Sequence, residues 1–235
     1  MRLYSIGHST RTFDELVAAL RSFGIRTLVD IRTMPRSRHT PQFNREALTR
    51  RLPRRGIRYV HLPGLGGLRK PRADSTNTAW RNTGFRGFAD YMQTPEFAAA
   101  LEGLRALAEE GGPLAFMCAE AVPWRCHRSL VADALTARGD EVYDIMAPDR
   151  ASLHALTPWA RVDGHRVTSR RAGTASLGPF EKGCIHILGG AKLSTSKSRG
   201  PMREPPADCI FPTICWGRTN ASARQFAGAA LGGRL

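Results

Sequence analysis

The fold is decided by the stretch Pro113-Leu-Ala-Phe-Met-Cys-Ala-Glu-Ala-Val-Pro-Trp-Arg-Cys-His-Arg-Ser129. Its first residues are apolar, and they predict a buried strand that leads directly into Cys118. A helix is predicted over residues 128–138, because apolar residues recur there at helical spacing until Gly139. A buried strand, a loop and a helix in this order form the repeating unit of an α/β protein.

The rest of the first 147 residues shows the same alternation. Apolar patterns predict strands over 3–6, 27–31, 57–62 and 141–145. They predict helices over 13–23, 44–55, 87–92 and 95–110, and Thr12 with Glu15 forms a capping box for the first. We therefore predict a three-layer α/β domain over residues 1–168. Its sheet is mostly parallel, with helices on both faces, in a Rossmann-like or rhodanese-like arrangement.

The sequence changes character towards its end. The apolar pattern fades after residue 147, and residues 169–235 are rich in Gly, Ser, Pro and Arg. This segment has ten Lys and Arg against three Asp and Glu, so it carries +7 of the formal net charge of +15. Such a composition predicts an irregular C-terminal tail over 169–235 that is disordered or loosely attached.

Composition limits the class of protein. No apolar run reaches the roughly 18 residues that span a bilayer. The first residues lack the pattern of a signal peptide, so we expect a cytoplasmic protein with no membrane partner. The five cysteines are irregularly spaced and do not indicate a disulfide framework. The basic excess is compatible with an anionic small molecule or a nucleic acid as partner, and it indicates no particular oligomeric state.

The carboxyl ends of the predicted strands bring polar residues to one edge of the sheet, where ligands of parallel sheets bind. His8 follows the first strand, Asp30 and Arg32 mark the end of the second, and His61 belongs to the third. The Cys118–Arg128 loop follows the fourth strand. We therefore expect one cleft at this edge, with the loop as its working part.

The loop has a chemistry of its own. The helix after it directs its first amides and the positive end of its dipole into the loop, and basic side chains add charge. An anion would be stabilised there, and a thiol would lose its proton more readily. Cys126 or Cys118 is therefore a candidate nucleophile, and Glu120 is a candidate general base. Alternatively, the two cysteines are ordinary packing residues and Glu120 is a solvated acid.

Other residues on this edge extend the candidate site. His8 is a candidate acid or base, and Asp30 is a candidate group for orienting another side chain. The residues expected to bind substrate or anion, in part as a guanidinium clamp, are Arg32, Arg36, His61, Arg81, Asn82, His127, Arg128 and Ser129. Each of them also has a purely structural interpretation, as part of a solvated loop, an ion pair or a lid.

Cys118 and Cys126 also suggest a redox disulfide or a pair of metal ligands, with His127 or His8 completing the set. A structural zinc site needs four ligands at suitable spacing, and residues 1–168 contain no Cys-x-x-Cys pair. At this point we assign no metal, and the sequence requires no cofactor. A metal or redox site stays as an alternative interpretation.

Several motifs occur in a characteristic order: Ile6-Gly-His-Ser9, Val29-Asp-Ile-Arg32, Pro35-Arg-Ser-Arg38, Tyr59-Val-His-Leu-Pro-Gly-Leu-Gly-Gly67, Trp80-Arg-Asn82, Phe85-Arg-Gly-Phe-Ala-Asp-Tyr-Met92, Met117-Cys-Ala-Glu120 and Cys126-His-Arg-Ser129. Together they resemble the bacterial domain-of-unknown-function 488 family over about residues 2–168. The resemblance implies a soluble α/β domain without an agreed activity. The segment after residue 168 has no counterpart in the family pattern.

A weaker likeness is to rhodanese-type sulfurtransferases and to the phosphatases built on the same plan. These proteins also place Asp-x-Arg after one strand, and Cys, a loop and Arg-Ser before a later helix. Here nine residues separate Cys118 from Arg128, far more than in the rhodanese-like loop, and Trp124 stands where the phosphatase spacing requires Arg. The likeness therefore implies a shared plan and no shared reaction.

The leading hypothesis is an enzyme that binds an anionic, phosphate-bearing substrate in the cleft around the Cys118–Arg128 loop. It would act as a thiol-dependent transferase or hydrolase. The first alternative is a nucleic-acid-binding module without catalysis, which the positive charge favours. The second is the Cys/His metal or redox site.

Overall fold

The computed structural model describes residues 1–170, and the predictions for residues 171–235 lie outside this part. A six-stranded sheet forms its centre, in the order β3-β2-β4-β1-β5-β6. The first five strands in this order pair in parallel, and β6 pairs antiparallel with β5. The strands are β1 (Arg2–Gly7), β2 (Thr27–Asp30), β3 (Arg58–His61), β4 (Leu114–Cys118), β5 (Glu141–Ala147) and β6 (Arg150–Leu153).

The α-helices of residues 1–170 cover both faces of the sheet. They are α1 (Phe13–Ser22), α2 (Arg45–Arg51), α3 (Thr83–Tyr91), α4 (Pro95–Gly111) and α5 (Arg128–Thr136). Leu16 of α1 and Leu48 of α2 share one core cluster with Met117 of the sheet. The helices α3, α4 and α5 share the other cluster with strand residues such as Phe116. This confirms the predicted three-layer α/β fold with a mostly parallel sheet.

None of these helices combines the length and apolar character that a bilayer-spanning segment requires.

The largest differences from the predicted helix boundaries have local causes. The helix predicted over 44–55, with a break at Pro53, ends at Arg51, because Pro53 has no amide hydrogen to donate, and a short 3₁₀ turn follows. The third helix begins at Thr83 instead of residue 87. The side chain of Asn82 caps it by accepting hydrogen bonds from the amides of Gly84 and Phe85.

The sheet extends beyond residue 147, where the apolar pattern fades. β6 continues it, and β7 (Ala160–Asp163) pairs antiparallel with β8 (Arg166–Ser169) in a separate hairpin. These strands are four residues long, and β6 and β7 are largely exposed, so neither carries the alternation of a half-buried strand.

A histidine with a buried side chain connects the segment after β6 to α5 and β5. His154 follows β6, and its imidazole lies 2.9 Å from Asp133 of α5 and 3.4 Å from Asp144 of β5. Burial by itself would lower the pKa of His154. The hydrogen bonds and negative charges of the two carboxylates outweigh burial and raise this pKa to about 9. His154 therefore carries its positive charge in the folded protein at neutral pH.

We expect His154→Gln to destabilise the protein at pH 6.5 by up to about 3 kcal/mol. Because the folded pKa lies above the ordinary value of 6.5, the contribution of protonated His154 is complete below pH 6.5. It is lost as the pH rises through 9. Urea unfolding of wild type and variant at several pH values between 6 and 10 measures this. His165→Gln, an exposed position, is the control, and a stability difference that does not change with pH would contradict the prediction.

Candidate functional site

A cavity of about 380 Å³ opens at the carboxyl edge of the sheet, where ligands were expected. Its walls come from the end of β4, the loop before α5, residues 32–34 after β2, the loop at Gly67, and the start of α3. The predicted site residues that line it are Arg32, Asn82, Cys118, Glu120, Cys126 and His127. The structure therefore brings six of the predicted residues to one cavity.

Two thiols and an imidazole meet in the wall of this cavity. His127 Nδ1 lies 3.8 Å from Cys118 Sγ and 3.8 Å from Cys126 Sγ. The three donor atoms all lie within 4.8 Å of one another. We call these three residues the sulfur–imidazole cluster. Both cysteines are buried and free, so the sulfurs are present as thiol or thiolate and not as a disulfide.

The surroundings shift the pKa values of the two cysteines in opposite directions. The hydrogen bond from Cys118 lowers the pKa of Cys126 below its ordinary value, and this effect outweighs burial. A hydrogen bond from His127 and the charge of Arg128 act in the same direction. The same hydrogen bond, together with burial, raises the pKa of Cys118. The surroundings therefore favour the thiolate form at Cys126 over that at Cys118.

Arg128 holds the Cys118–Arg128 loop in place through hydrogen bonds in the protein interior. Its guanidinium is buried and donates to the backbone carbonyls of Glu120 and Ala121, and to the hydroxyl of Ser5 on β1. Gly7 makes room for this arrangement, because a Cβ there would overlap the Glu120 carbonyl. The sequence suggested Arg128 as an anion ligand. The structure directs its donors to the protein itself, and Arg128 does not line the cavity.

Arg32 is also engaged within the protein. It forms a buried ion pair with Asp30, at 2.9 Å from Nε and 2.6 Å from Nη2, and donates to the carbonyl of Phe43. Its Nη1 lies 3.1 Å from His8 Nε2. The three arginines expected to bind an anion are thus not gathered at the cavity: Arg32 is in an ion pair, Arg36 is exposed and does not line the cavity, and Arg128 holds the loop.

His8 supports Arg32 as a neutral base. Burial, and then the charge of Arg32, lower the pKa of His8 to about 4. Its Nε2 accepts from Arg32, so the proton lies on Nδ1, which donates to the Ser9 carbonyl at 3.1 Å. The ring also stacks on Phe43, with centroids 4.3 Å apart. His8 is thus a buried support for the cavity wall and does not line it.

The other predicted residues take supporting or outlying positions. His61 Nε2 contacts the Arg32 carbonyl at 2.9 Å. The Ser129 hydroxyl donates to the Cys126 carbonyl at 3.0 Å and so ties the cysteine to α5. Asn82 lines the cavity and caps α3, whereas Arg81 is exposed outside it. Glu120 and Arg125 are the exposed charged residues of the cavity rim.

Sequence reasoning did not single out Met34 and Leu68, which are both 72% exposed and form an apolar part of the cavity wall. No local signal marks them, because each lies in an irregular loop. In the sequence, Gly67 is marked only as the last glycine of the motif over residues 59–67. In the structure a Cβ at Gly67 would lie 2.5 Å from His127 Nδ1, so this glycine allows the imidazole its position beside the sulfurs.

The chain is an α/β protein whose mostly parallel sheet is covered by helices on both faces, and the sulfur–imidazole cluster lies at the carboxyl edge of this sheet. The family model described as domain of unknown function DUF488 matches residues 12–135. The chain belongs to this family. The matched region runs from the start of α1 to near the end of α5 and includes the whole cluster. No curated protein and no solved structure matched the chain.

We expect Gly67→Ala to displace the His127 imidazole from the sulfurs and to destabilise the fold by about 1–3 kcal/mol, because the added methyl group overpacks the site. Chemical denaturation and the NMR shifts of His127 measure the two effects. Gly103→Ala is the matched control. A Cβ at Gly103 meets no atom within 4 Å, and alanine is the better helix former. Equal stability of the two variants, with unchanged His127 shifts, would contradict the prediction.

We expect Arg128→Met to destabilise the fold by about 3 kcal/mol or more, because it leaves buried carbonyls without a donor. Arg125→Met, at an exposed position of the same loop, is expected to change stability by less than about 0.5 kcal/mol. Urea unfolding compares the two variants. Similar stabilities would show that Arg128 does not hold the loop.

Proposed function

We propose that this protein is a thiol-dependent enzyme that acts on a small molecule in the cavity, with Cys126 as the nucleophile. The observation that carries the proposal is the convergence of Cys118, Cys126 and His127 in the wall of a concave site. Thiol enzymes commonly place a proton-holding partner beside the attacking sulfur. Here Cys118 and His127 both lie next to Cys126.

The position of Cys126 supports a reactive role. It lies directly before His127, the residue that precedes the first turn of α5, where the helix dipole and free amides favour negative charge. Attack forms a bond from the Cys126 sulfur to an electrophilic atom of the substrate. The leaving group departs with the electron pair of the broken bond and takes a proton from water. The resulting hydroxide attacks the group bound to Cys126, which releases the product and returns the sulfur as thiolate. We assign Glu120, which lines the cavity, to orienting this water.

The cavity wall indicates the kind of substrate. Met34, Leu68 and Phe85 provide apolar surface, and Arg125 provides an exposed positive charge. Arg32 contributes to the wall, but its donors already bind Asp30 and the Phe43 carbonyl. We therefore propose a small substrate with an apolar part and one anionic group that reaches Arg125. The larger phosphate clamp suggested by the sequence is not part of this proposal.

Alkylation with iodoacetamide tests the role of Cys126. Cys184, Cys209 and Cys215 are replaced by Ser in the full chain, and chelator-treated protein is followed by site-resolved mass spectrometry. We expect Cys126 to react about ten-fold faster in the folded protein than in denaturant at pH 5, because its lowered pKa keeps it as thiolate at a pH where an ordinary thiol is almost fully protonated. His127→Asn is expected to slow the folded-state reaction severalfold, whereas the exposed control His39→Asn leaves it unchanged.

Two results would contradict the proposed role of Cys126. A Cys126 that reacts no faster in the folded protein than in denaturant would overturn the proposed nucleophile. Faster reaction at Cys118 than at Cys126 would show that the proposal names the wrong sulfur as the nucleophile.

A further inference from the structure

The sulfur–imidazole cluster has the composition and the spacing of a metal site. We infer that Cys118, Cys126 and His127 bind one soft divalent cation of the Zn²⁺ class, and that the bound ion blocks thiol chemistry at Cys126. The blocking half of this inference rests on the proposed function, whereas the binding half stands on the geometry alone.

The spacing fits a tetrahedral ion closely. Zinc binds thiolate sulfur at about 2.3 Å and imidazole nitrogen at about 2.0–2.1 Å. At tetrahedral angles these bond lengths place sulfur and nitrogen about 3.6 Å apart, and two sulfurs about 3.8 Å apart. In the structure His127 Nδ1 lies 3.8 Å from each sulfur, and all three atoms lie within 4.8 Å of one another. An ion therefore needs only small side-chain shifts to reach all three.

The donor set selects the class of metal. Two thiolates and one imidazole are soft or borderline ligands, which suit Zn²⁺, Co²⁺ and Cd²⁺ and do not suit Mg²⁺ or Ca²⁺. No carboxylate belongs to this group of donors within residues 1–170. A soft ion, and not a hard one, is the occupant that these atoms favour.

The surroundings hold the donors in place before any ion binds. Arg128 fixes the loop through the Glu120 and Ala121 carbonyls, and the Ser129 hydroxyl holds the Cys126 carbonyl. The His127 ring packs edge-to-face against Phe88, with centroids 5.0 Å apart, and Gly67 leaves space beside its Nδ1. The ligand atoms thus lie together without the metal.

Three protein ligands leave the fourth position of a tetrahedral ion open. Cys118, Cys126 and His127 all line the cavity, so a water molecule or a small ligand from the cavity fills that position. Binding uses one electron pair of each sulfur, and any thiol proton is released to solvent. The bound ion draws charge from the Cys126 sulfur and covers one of its electron pairs, so the sulfur attacks more slowly and metal binding opposes alkylation.

Cobalt provides the direct test, because thiolate-bound Co²⁺ absorbs in the near ultraviolet and tetrahedral Co²⁺ absorbs in the visible range. The probe is Co²⁺ itself, added to chelator-treated, tag-free full chain in which Cys184, Cys209 and Cys215 are Ser. We expect both bands to saturate at one ion per chain, and Zn²⁺ to displace them. Cys118→Ser and His127→Asn are each expected to weaken binding at least ten-fold, and His39→Asn to leave it unchanged.

A rescue variant separates ligation from loss of folding. His127→Cys keeps three soft donors, so it is expected to bind Co²⁺ with stronger thiolate absorption than the wild type. Circular dichroism checks that each variant is folded. Absence of the bands in the wild type, or binding that survives Cys118→Ser and His127→Asn together, would overturn the metal site.

Alkylation in the presence of Zn²⁺ tests the blocking half. One equivalent of Zn²⁺ is expected to slow modification of Cys126 at least ten-fold, and a chelator to restore the rate. Fast alkylation without any metal binding would remove the metal site and leave the proposed nucleophile intact. If the protein binds metal but metal-free Cys126 does not react, the proposed nucleophile and the blocking role are both wrong. The metal-binding site would still be supported.

Discussion

The buried guanidinium of Arg128 is the interaction on which the candidate site depends. It bridges β1, through Ser5, and the loop after β4, through two carbonyls that have no strand partner. A buried carbonyl without a donor is costly, so a loop that enters the protein at this point needs such a partner. The path of the loop, and with it the distance between Cys118 and Cys126, follows from this one side chain.

A second buried arginine stabilises the neighbouring strand end. Arg32 neutralises Asp30 and receives support from neutral His8, while Tyr59 donates to the same carboxylate at 2.9 Å. A buried ion pair is costly to break, because removal of one partner leaves the other charge without compensation. The two arginines therefore shape the cavity without filling it, and the groups at its surface are sulfur, imidazole, apolar side chains and the exposed Arg125.

The sulfur–imidazole cluster combines two kinds of chemistry in one arrangement. Soft donors that lie close enough to stabilise a thiolate also lie close enough to share a metal ion, since both need convergence of electron pairs within a few ångströms. In our proposals, thiol reactivity and metal binding are two states of the same three residues. Whether a soft cation is bound to Cys126 selects between them.

The amino-acid sequence was sufficient to predict the layered α/β architecture, the edge of the sheet at which the cavity opens, and the loop around Cys118 and Cys126. Apolar periodicity and capping residues act over a few positions, so they can be interpreted without the fold. It did not predict β6, β7 and β8. β6 and β7 are largely exposed, and in β8 only Val167 and Ser169 are buried, so four residues give too short a pattern to recognise. The DUF488 match over residues 12–135 agrees with the ordered motifs.

The role of each charged or polar side chain depends on contacts that form only in the folded chain. An arginine at the start of a helix has the same local sequence whether it faces solvent, a ligand or a buried carbonyl. Arg128 and Arg32 are internal because carbonyls and a carboxylate from distant segments surround them. In the same way, Cys118 and His127 meet because the loop turns back on itself and Gly67 leaves room, and these contacts join residues that no local pattern connects.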